Sequence, residues 1–175
     1  MTSTKLTAGD AFPKMSVPKM GGGELTLGTP SDGKDWQMVV VYRGKHCPIC
    51  TRYLGDLNGQ LAEFEKAGVE VVAVSADPAE KVSDQMAKVD PKFPVGYELS
   101  VPQMQELGLY ISDPRSPEEN DRPFAEPALF VVNEAGKLQI VDIANAPFAR
   151  PDLATLAKGL GYVRESGYPI RGTHV

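Results

Sequence analysis

The pattern of residues along the chain points to a three-layer α/β sandwich on three grounds. Residues 37–42 and 69–75 are compact, β-branched apolar runs with the continuous character of strands buried on both faces. A helical pattern lies between them. After them come a second helical pattern, a hairpin and a terminal helix, an alternation that sets helices against one sheet. The 175 residues suffice for one ordinary domain and fall short of two well-buried ones, so residues 1–175 are read as a single domain.

The elements follow in order. Residues 7–23, rich in Pro, Gly and Met, read as an irregular lead-in with turns, and 24–28 as a short strand. Gly21-Gly22-Gly23 lacks the Lys-Ser/Thr of a phosphate loop and reads as a turn. Trp36 is a packing anchor ahead of the strand at 37–42, and Tyr42 closes that strand as core or as site wall. In the next helix Leu54, Leu57, Leu61 and Phe64 recur at spacings of three and four, marking one buried stripe, and Gly68 is its stop. Counting back, Cys47 falls at the N-cap and Pro48 in the first turn, where its missing N–H costs nothing. Cys50, four residues before Leu54, points toward the stripe, while Cys47 is expected at the exposed helix tip.

Residues 69–75 form the second buried strand. A helix over 78–89 starts after the turn at Asp77, and a short helix covers 102–107. Strands at 128–132 and 138–143 are joined through Asn133-Glu134-Ala135-Gly136. The last helix, 151–163, carries Leu153, Leu156 and Leu160 on one face with Pro151 in its first turn. Residues 110–127 show no period and hold Asp113, Arg115, Asp121, Arg122 and four prolines. A loop of that length in a compact domain is usually functional, and it is expected near the site. Residues 167–175 read as a C-terminal arm, on the surface or at an oligomer contact.

Composition removes several classes of function. With 18 Lys and Arg against 23 Asp and Glu, the formal charge is −5, which leaves no excess cation to neutralise nucleic-acid phosphates. The longest apolar runs, 38–42 and 128–132, are far too short to cross a membrane. Residues 1–10 carry one Lys and no apolar stretch, so no secretory signal is expected and the cytoplasm is the default location.

Both cysteines are spent at one point, Cys47-Pro48-Ile49-Cys50. A helix N-terminus carries roughly +0.5 of an elementary charge and favours a thiolate over a thiol. Arg43, Lys45 and His46 add positive potential beside it. A thiolate there is both nucleophile and leaving group, and the second sulfur can close a small ring that releases a bound partner. A zinc site would need two more ligands, yet His46 adjoins Cys47, His174 lies in the tail, and no second pair exists, so no metal is expected. Inert packing would suit Cys50 and suits Cys47 poorly.

Tyr42-Arg43-Gly44-Lys45-His46-Cys47-Pro48-Ile49-Cys50 resembles the Tyr-Arg-Gly-x-Trp-Cys-Pro-x-Cys signature of one branch of the alkyl hydroperoxide reductase/thiol-specific antioxidant (AhpC/TSA) family, peroxiredoxin-like proteins on a thioredoxin fold. Gly9-Asp10-Ala11-Phe12-Pro13 is similar to that family's Gly-Asp-x-x-Pro lead-in. Residues 69–78 are similar to its second central strand and Ser-x-Asp turn, and 127–137 to its late strand and hairpin. The likeness spans about residues 6–160.

The resemblance implies a thioredoxin-like α/β/α sandwich with a central mixed sheet, and reduction of peroxides by a Cys47/Cys50 pair cycling as an intramolecular disulfide. It also implies a thioredoxin- or glutathione-type thiol reductant, no metal, flavin or nucleotide, and a homodimer as the family's frequent state. Pro127 takes the place of the fold's cis-proline. The family's peroxidase motif departs here: aligned on Cys50, Cys47 stands at its Thr and Arg43 at its Pro. The arginine that starts the family's late strand is replaced near Pro127, leaving Arg122, or Arg115, to supply that charge from the loop. Two mechanisms therefore stay open. In a peroxidase aligned on the family, Cys50 attacks peroxide and condenses with Cys47. In a protein disulfide oxidoreductase, exposed Cys47 attacks and Cys50 resolves. A non-enzymatic redox-sensing module is the third reading, and elevated pKa values for both thiols would favour it.

Overall fold

The computed structural model describes residues 4–31 and 33–175. Residues 1–3, which belong to the N-terminal segment read above, and Asp32 lie outside the described residues. The chain opens with an antiparallel ribbon, β1 (Met15–Pro18) and β2 (Glu24–Leu27), and Val17, Leu25 and Leu27 supply its buried side chains. β1 falls inside the stretch expected to be irregular. Only Val17 of its four residues is fully buried, so its alternation was too short to read.

β3 (Trp36–Val41) is buried along its whole length and leads to α1 (Pro48–Lys66); of the expected stripe, Leu54, Leu57 and Phe64 are fully buried and Leu61 is half-buried. Then come β4 (Val69–Val74), α2 (Ala79–Val89), the two-residue β5 (Val95–Gly96) and α3 (Val101–Glu106). The segment expected as one loop contains β6 (Ile111–Ser112) and β7 (Phe124–Ala125), two residues each, paired antiparallel. β8 (Ala128–Val132) and β9 (Leu138–Ile143) match the sequence reading, and α4 (Leu153–Ser166) closes the fold. Pro151 lies outside α4. Asp152 caps that helix by accepting the Thr155 N–H at 2.9 Å, so the proline precedes the cap and does not occupy the first turn.

The central sheet runs β5-β4-β3-β8-β9. β4 is parallel to β3 and β5, while β8 is antiparallel to β3 and β9, which makes the sheet mixed. The period of two sorts the strand side chains. Met38, Val40, Val71, Ala73, Leu129 and Val131 pack with α1, α2 and α4 on one face. Val39, Val41, Val72, Val74, Phe130 and Val132 face the ribbon and α3 on the other. The three layers are those predicted, with the far layer built from a ribbon and one short helix. No helix among the described residues is long and apolar enough to cross a membrane.

Register sets the place of the site. Val41 pairs with Val74 and Ala128, and Ala128 with Ile143, so the chain segments after β3, after β4, before β8 and after β9 all emerge at one edge of the sheet. α1 starts there.

Candidate active site

The segment between β3 and α1 is pinned from below. Lys45 N–H donates to Asp77 Oδ2 at 2.8 Å, and Gln85 Nε2 donates to the Gly44 carbonyl at 3.1 Å and to Thr51 Oγ1 at 3.0 Å. Asp77 and Gln85 are both buried. Gly44 has φ +136°, and a Cβ there would lie 2.6 Å from Asp77 Oδ2, so this close approach requires glycine. The Cys47 N–H donates to the Gly44 carbonyl at 3.1 Å, which completes the turn into the helix.

Cys47 is the N-cap of α1, with Pro48 following in the first turn as the sequence predicts. The cap is a sulfur: the Cys50 N–H donates to Cys47 Sγ at 3.3 Å. Both cysteines are free thiols. The expectation that Cys47 is exposed is corrected, because it is only 2% accessible and Cys50 is 0%. Cys47 lies under a hollow of about 530 Å³ whose walls include Arg43, His46, Ile49, Arg115, Glu119 and Pro147. Residues 115–119 of the long loop thus overhang the sulfur, which spacing along the helix could not reveal.

The two thiols are electrostatically unequal. A hydrogen bond from the Cys50 thiol, and with it the Cys50 N–H and the Arg43 guanidinium, outweigh burial and bring the Cys47 thiol down to about 5. Burial, and then the neighbouring Cys47 sulfur, push the Cys50 thiol up, with Arg150 opposing them.

The cations around the sulfurs differ from those expected. Arg43 stays, held by an ion pair from Nε to Glu126 Oε2 at 3.1 Å and lying 4.9 Å from the Phe124 ring centre. Glu126 in turn accepts a hydrogen bond from Ser112 Oγ at 2.8 Å. His46 adds no positive charge at neutral pH, since burial, and then Arg43, lower its pKa, and its ring packs against Phe124 at 4.4 Å. Lys45 turns away to Asp84 at 2.8 Å. Arg122 pairs with its neighbour Asp121 through both Nε and Nη2 and does not line the hollow. Arg115 stands at the rim, with Nε on Glu119 at 2.8 Å. The cation that reaches the second sulfur carries no local signal in the sequence: Arg150 Nη2 donates to Cys50 Sγ at 2.7 Å from 100 positions away.

Pro127 immediately precedes β8 at the same edge, but the cis-proline expectation is corrected, since no cis peptide bond occurs among the described residues. At the start of a strand a trans proline lacks only an N–H that the ladder does not use. The backbone beside it is occupied as well. The Glu126 N–H donates to the Tyr110 carbonyl at 2.8 Å, and the Pro127 carbonyl accepts the Ala144 N–H at 2.9 Å. Tyr42 is wholly buried beside this network. Among the described residues no three His, Cys, Asp or Glu side chains gather in a way that could hold a metal ion.

The chain matches the model of the AhpC/TSA family over residues 8–141. Peroxiredoxin Bcp of Escherichia coli is 37% identical over 78 residues, 45% of this chain and 49% of that protein. A "Probable 1-Cys peroxiredoxin" of Syntrichia ruralis is 26% identical over 137 residues, 75% of this chain and 62% of that one. The chain therefore spans less than two thirds of the length of these curated relatives. Among solved structures, peroxiredoxin 6 of Arenicola marina superposes with a TM-score of 0.76 at 19% identity, covering 93% of this chain and 76% of that one. Peroxidoxin BcpB of Mycobacterium tuberculosis gives 0.71 at 18%, covering 89% and 96%. These likenesses show the thioredoxin-like fold of the peroxiredoxins. With most of its length matched by the family model, the chain belongs to the AhpC/TSA family.

Proposed function

We propose that the chain is a thiol-dependent peroxidase in which Cys47 is the attacking thiolate and Cys50 the thiol that resolves it. The observation that carries this reading is an acidified sulfur under a hollow, almost shut off from solvent, with a second thiol beside it. A small hydroperoxide can enter such a hollow. A protein disulfide would have to bring its own backbone to a sulfur only 2% accessible, and the backbone flanking Pro127 has no free N–H at Glu126 to dock it. The acidity of Cys47 also argues against the redox-sensing module, for which both thiols would be raised.

In the first step the Cys47 thiolate attacks one oxygen of ROOH. An S–O bond forms, the O–O bond breaks, and the departing alkoxide takes a proton to become ROH, leaving a sulfenic acid on Cys47. Cys50 sulfur then attacks Cys47 sulfur. The S–S bond forms, the S–O bond breaks, and the leaving hydroxide takes the Cys50 proton as water. Two equivalents of an external thiol, of thioredoxin or glutathione type, restore both cysteines. Arg43 donates to the Cys47 thiolate, neutral His46 walls the hollow, Pro48 fixes the helix start under the sulfur, and Pro127 shapes the sheet edge beside it. The reading places the protein in the cytoplasm, where thiols are kept reduced, and as a homodimer in keeping with its family.

Stopped-flow reaction of the reduced protein with hydrogen peroxide, with sulfenic acid trapped for mass spectrometry, tests it. Fast reaction with sulfenic acid on Cys47 in Cys50→Ser supports the assignment. Sulfenic acid forming fast on Cys50 in Cys47→Ser reverses the two roles, and reaction no faster than a free thiol removes the peroxidase reading.

A further inference from the structure

We propose that Lys81 is a positioning residue that latches residues 113–123 over Cys47 and so sets the size of molecule that reaches the sulfur. The proposal rests on the peroxidase reading above and deepens it by giving the long loop the role of a lid.

The loop is well organised at its tip and thinly attached elsewhere. Its base is the ladder of β6 with β7, where Ile111 and Ser112 face Ala125 and Phe124. Within the tip the Glu119 side chain is drawn inward, 11% exposed, and accepts from the Arg115 N–H at 2.7 Å and from Arg115 Nε at 2.8 Å. The Glu119 N–H donates to the Ser116 carbonyl at 3.1 Å, and Asn120 Nδ2 donates to the Arg122 carbonyl at 3.2 Å. These bonds shape the loop but do not hold it to the body of the protein.

Among the described residues, one side chain does that by hydrogen bonding. Lys81 Nζ, on α2, donates to Asn120 Oδ1 at 2.7 Å and to Asp121 Oδ1 at 2.8 Å, joining residues 113–123 to a part of the chain outside their own hairpin. Asn120 is buried although the loop around it is polar, so its amide oxygen needs a protein donor, which the ammonium supplies. Lys81 stands in the first turn of α2, where the positive end of the helix dipole disfavours a cation. The helix gains nothing from a lysine there, and the loop does. α2 also carries Gln85, which holds the Gly44 carbonyl, so the lid and the turn under the sulfur rest on the same support.

The peroxidase cycle brings this sulfur two reactants of unlike size. A small hydroperoxide fits the hollow while residues 115–119 overhang it. An external thiol must reach the Cys47–Cys50 disulfide in line with its S–S bond, and the closed loop leaves Cys47 buried. A lid held at its tip by one half-exposed ammonium lifts without unfolding the core, because partly exposed ion pairs are weak and loops open locally. Closed, it keeps larger electrophiles from the thiolate. Open, it admits the reductant.

The test compares two reagents with the same reacting group, N-ethylmaleimide, small enough for the hollow, and fluorescein maleimide, whose rings need the lid raised. Rates at Cys47 are measured by mass spectrometry on the full reduced chain at about pH 8, well above the Cys47 midpoint, beside the rate with hydrogen peroxide. Loss of a charge-assisted bond to a buried amide should raise the open population about tenfold. Lys81→Met is therefore expected to speed fluorescein maleimide about tenfold and to leave N-ethylmaleimide and peroxide within about twofold. Lys81→Arg, which keeps a cationic donor, should stay near the native rates. Amide hydrogen exchange should quicken in Lys81→Met at residues 113–123 and not in α1. An unchanged fluorescein maleimide rate in Lys81→Met overturns the proposal. So does an equal rise with both maleimides, which would place the effect on the thiolate, or a rise in Lys81→Arg as large as in Lys81→Met. Faster exchange in α1 as well would make the change a general loosening and overturn the latch. If Lys81→Met fails to fold by circular dichroism, Asp121→Asn, which weakens the latch from the loop side, takes its place with the same selective rise expected. Should the native chain prove inert to peroxide, the peroxidase reading falls, while the two maleimide rates still decide whether Lys81 closes the loop over Cys47.

Discussion

The backbone N–H of Cys50 donates to the sulfur of Cys47 at 3.3 Å, so the atom that caps α1 is also the sulfur proposed above as the nucleophile. Caps are ordinarily hydroxyl or carboxylate oxygens, which accept one of the orphan N–H groups of the first turn. A thiol accepts weakly and a thiolate accepts well. The cap therefore strengthens as the proton leaves, and helix and thiolate stabilise each other.

The first prediction follows from this asymmetry. Cys50→Ser should still form a sulfenic acid rapidly and then stop, whereas Cys47→Ser should lose the fast phase. The loss should reach roughly 100-fold at neutral pH, from the smaller thiolate fraction of the remaining cysteine alone. Stopped-flow traces with mass spectrometry on quenched samples check it.

The pH dependence has a definite sign. The Cys47 thiol is lowered to about 5 from an ordinary value of 9.0. Its thiolate is present above about 5, so the peroxide rate should be flat from about pH 6 to 8 and fall about tenfold per unit below 5. Arg43→Met should move the midpoint upward, read by thiolate absorbance. The same shift acts on folding. Between about 5 and 9 the unfolded chain binds more protons at this site than the native one, so the contribution to stability is complete above the unfolded value and lost as pH falls through the folded value. Denaturant midpoints of the reduced protein should therefore rise with pH across that window, and less so in Cys47→Ser.

Gly44 and Asp77 form a second testable pair. At φ +136° with Asp77 Oδ2 2.6 Å from any Cβ, Gly44→Ala should cost about 1–3 kcal/mol and displace the carboxylate from the Lys45 N–H. Asp77→Ala should remove the clash but also the anchor. Urea unfolding of the two single variants and the double variant should show strong non-additivity, as expected of groups in contact.

Arg122 provides the contrast. It pairs with Asp121 and is absent from the walls of the hollow, so Arg122→Ala should leave the peroxide rate within about twofold, while its surface ion pair contributes about 1 kcal/mol or less to stability. Rate and thermal midpoint measured side by side decide it.

Burial energetics separate the core from the site. Leu57 is wholly buried in the α1 stripe, and Leu57→Ala should destabilise by about 2–5 kcal/mol in denaturant titration without shifting the pH midpoint of the thiolate.

The features legible along the chain are those that neighbouring residues decide among themselves. The stripe Leu54, Leu57, Phe64 fixed the register of α1, and with it the N-cap place of Cys47 and the first-turn place of Pro48. Continuous β-branched runs fixed β3 and β4, and turn residues set the bounds of β8 and β9. Elements of two residues such as β5, β6 and β7 are too short to carry a period, and they exist only because a partner strand pairs with them. The surroundings of the cysteines come instead from segments that meet only in the packed fold. The loop at 115–119 covers Cys47, Glu126 holds Arg43 beside it, and Arg150 reaches Cys50 across 100 positions. Periodicity and capping are local, acting over three or four residues. Burial and charge act through space, and the sheet register brings those distant segments to the same edge.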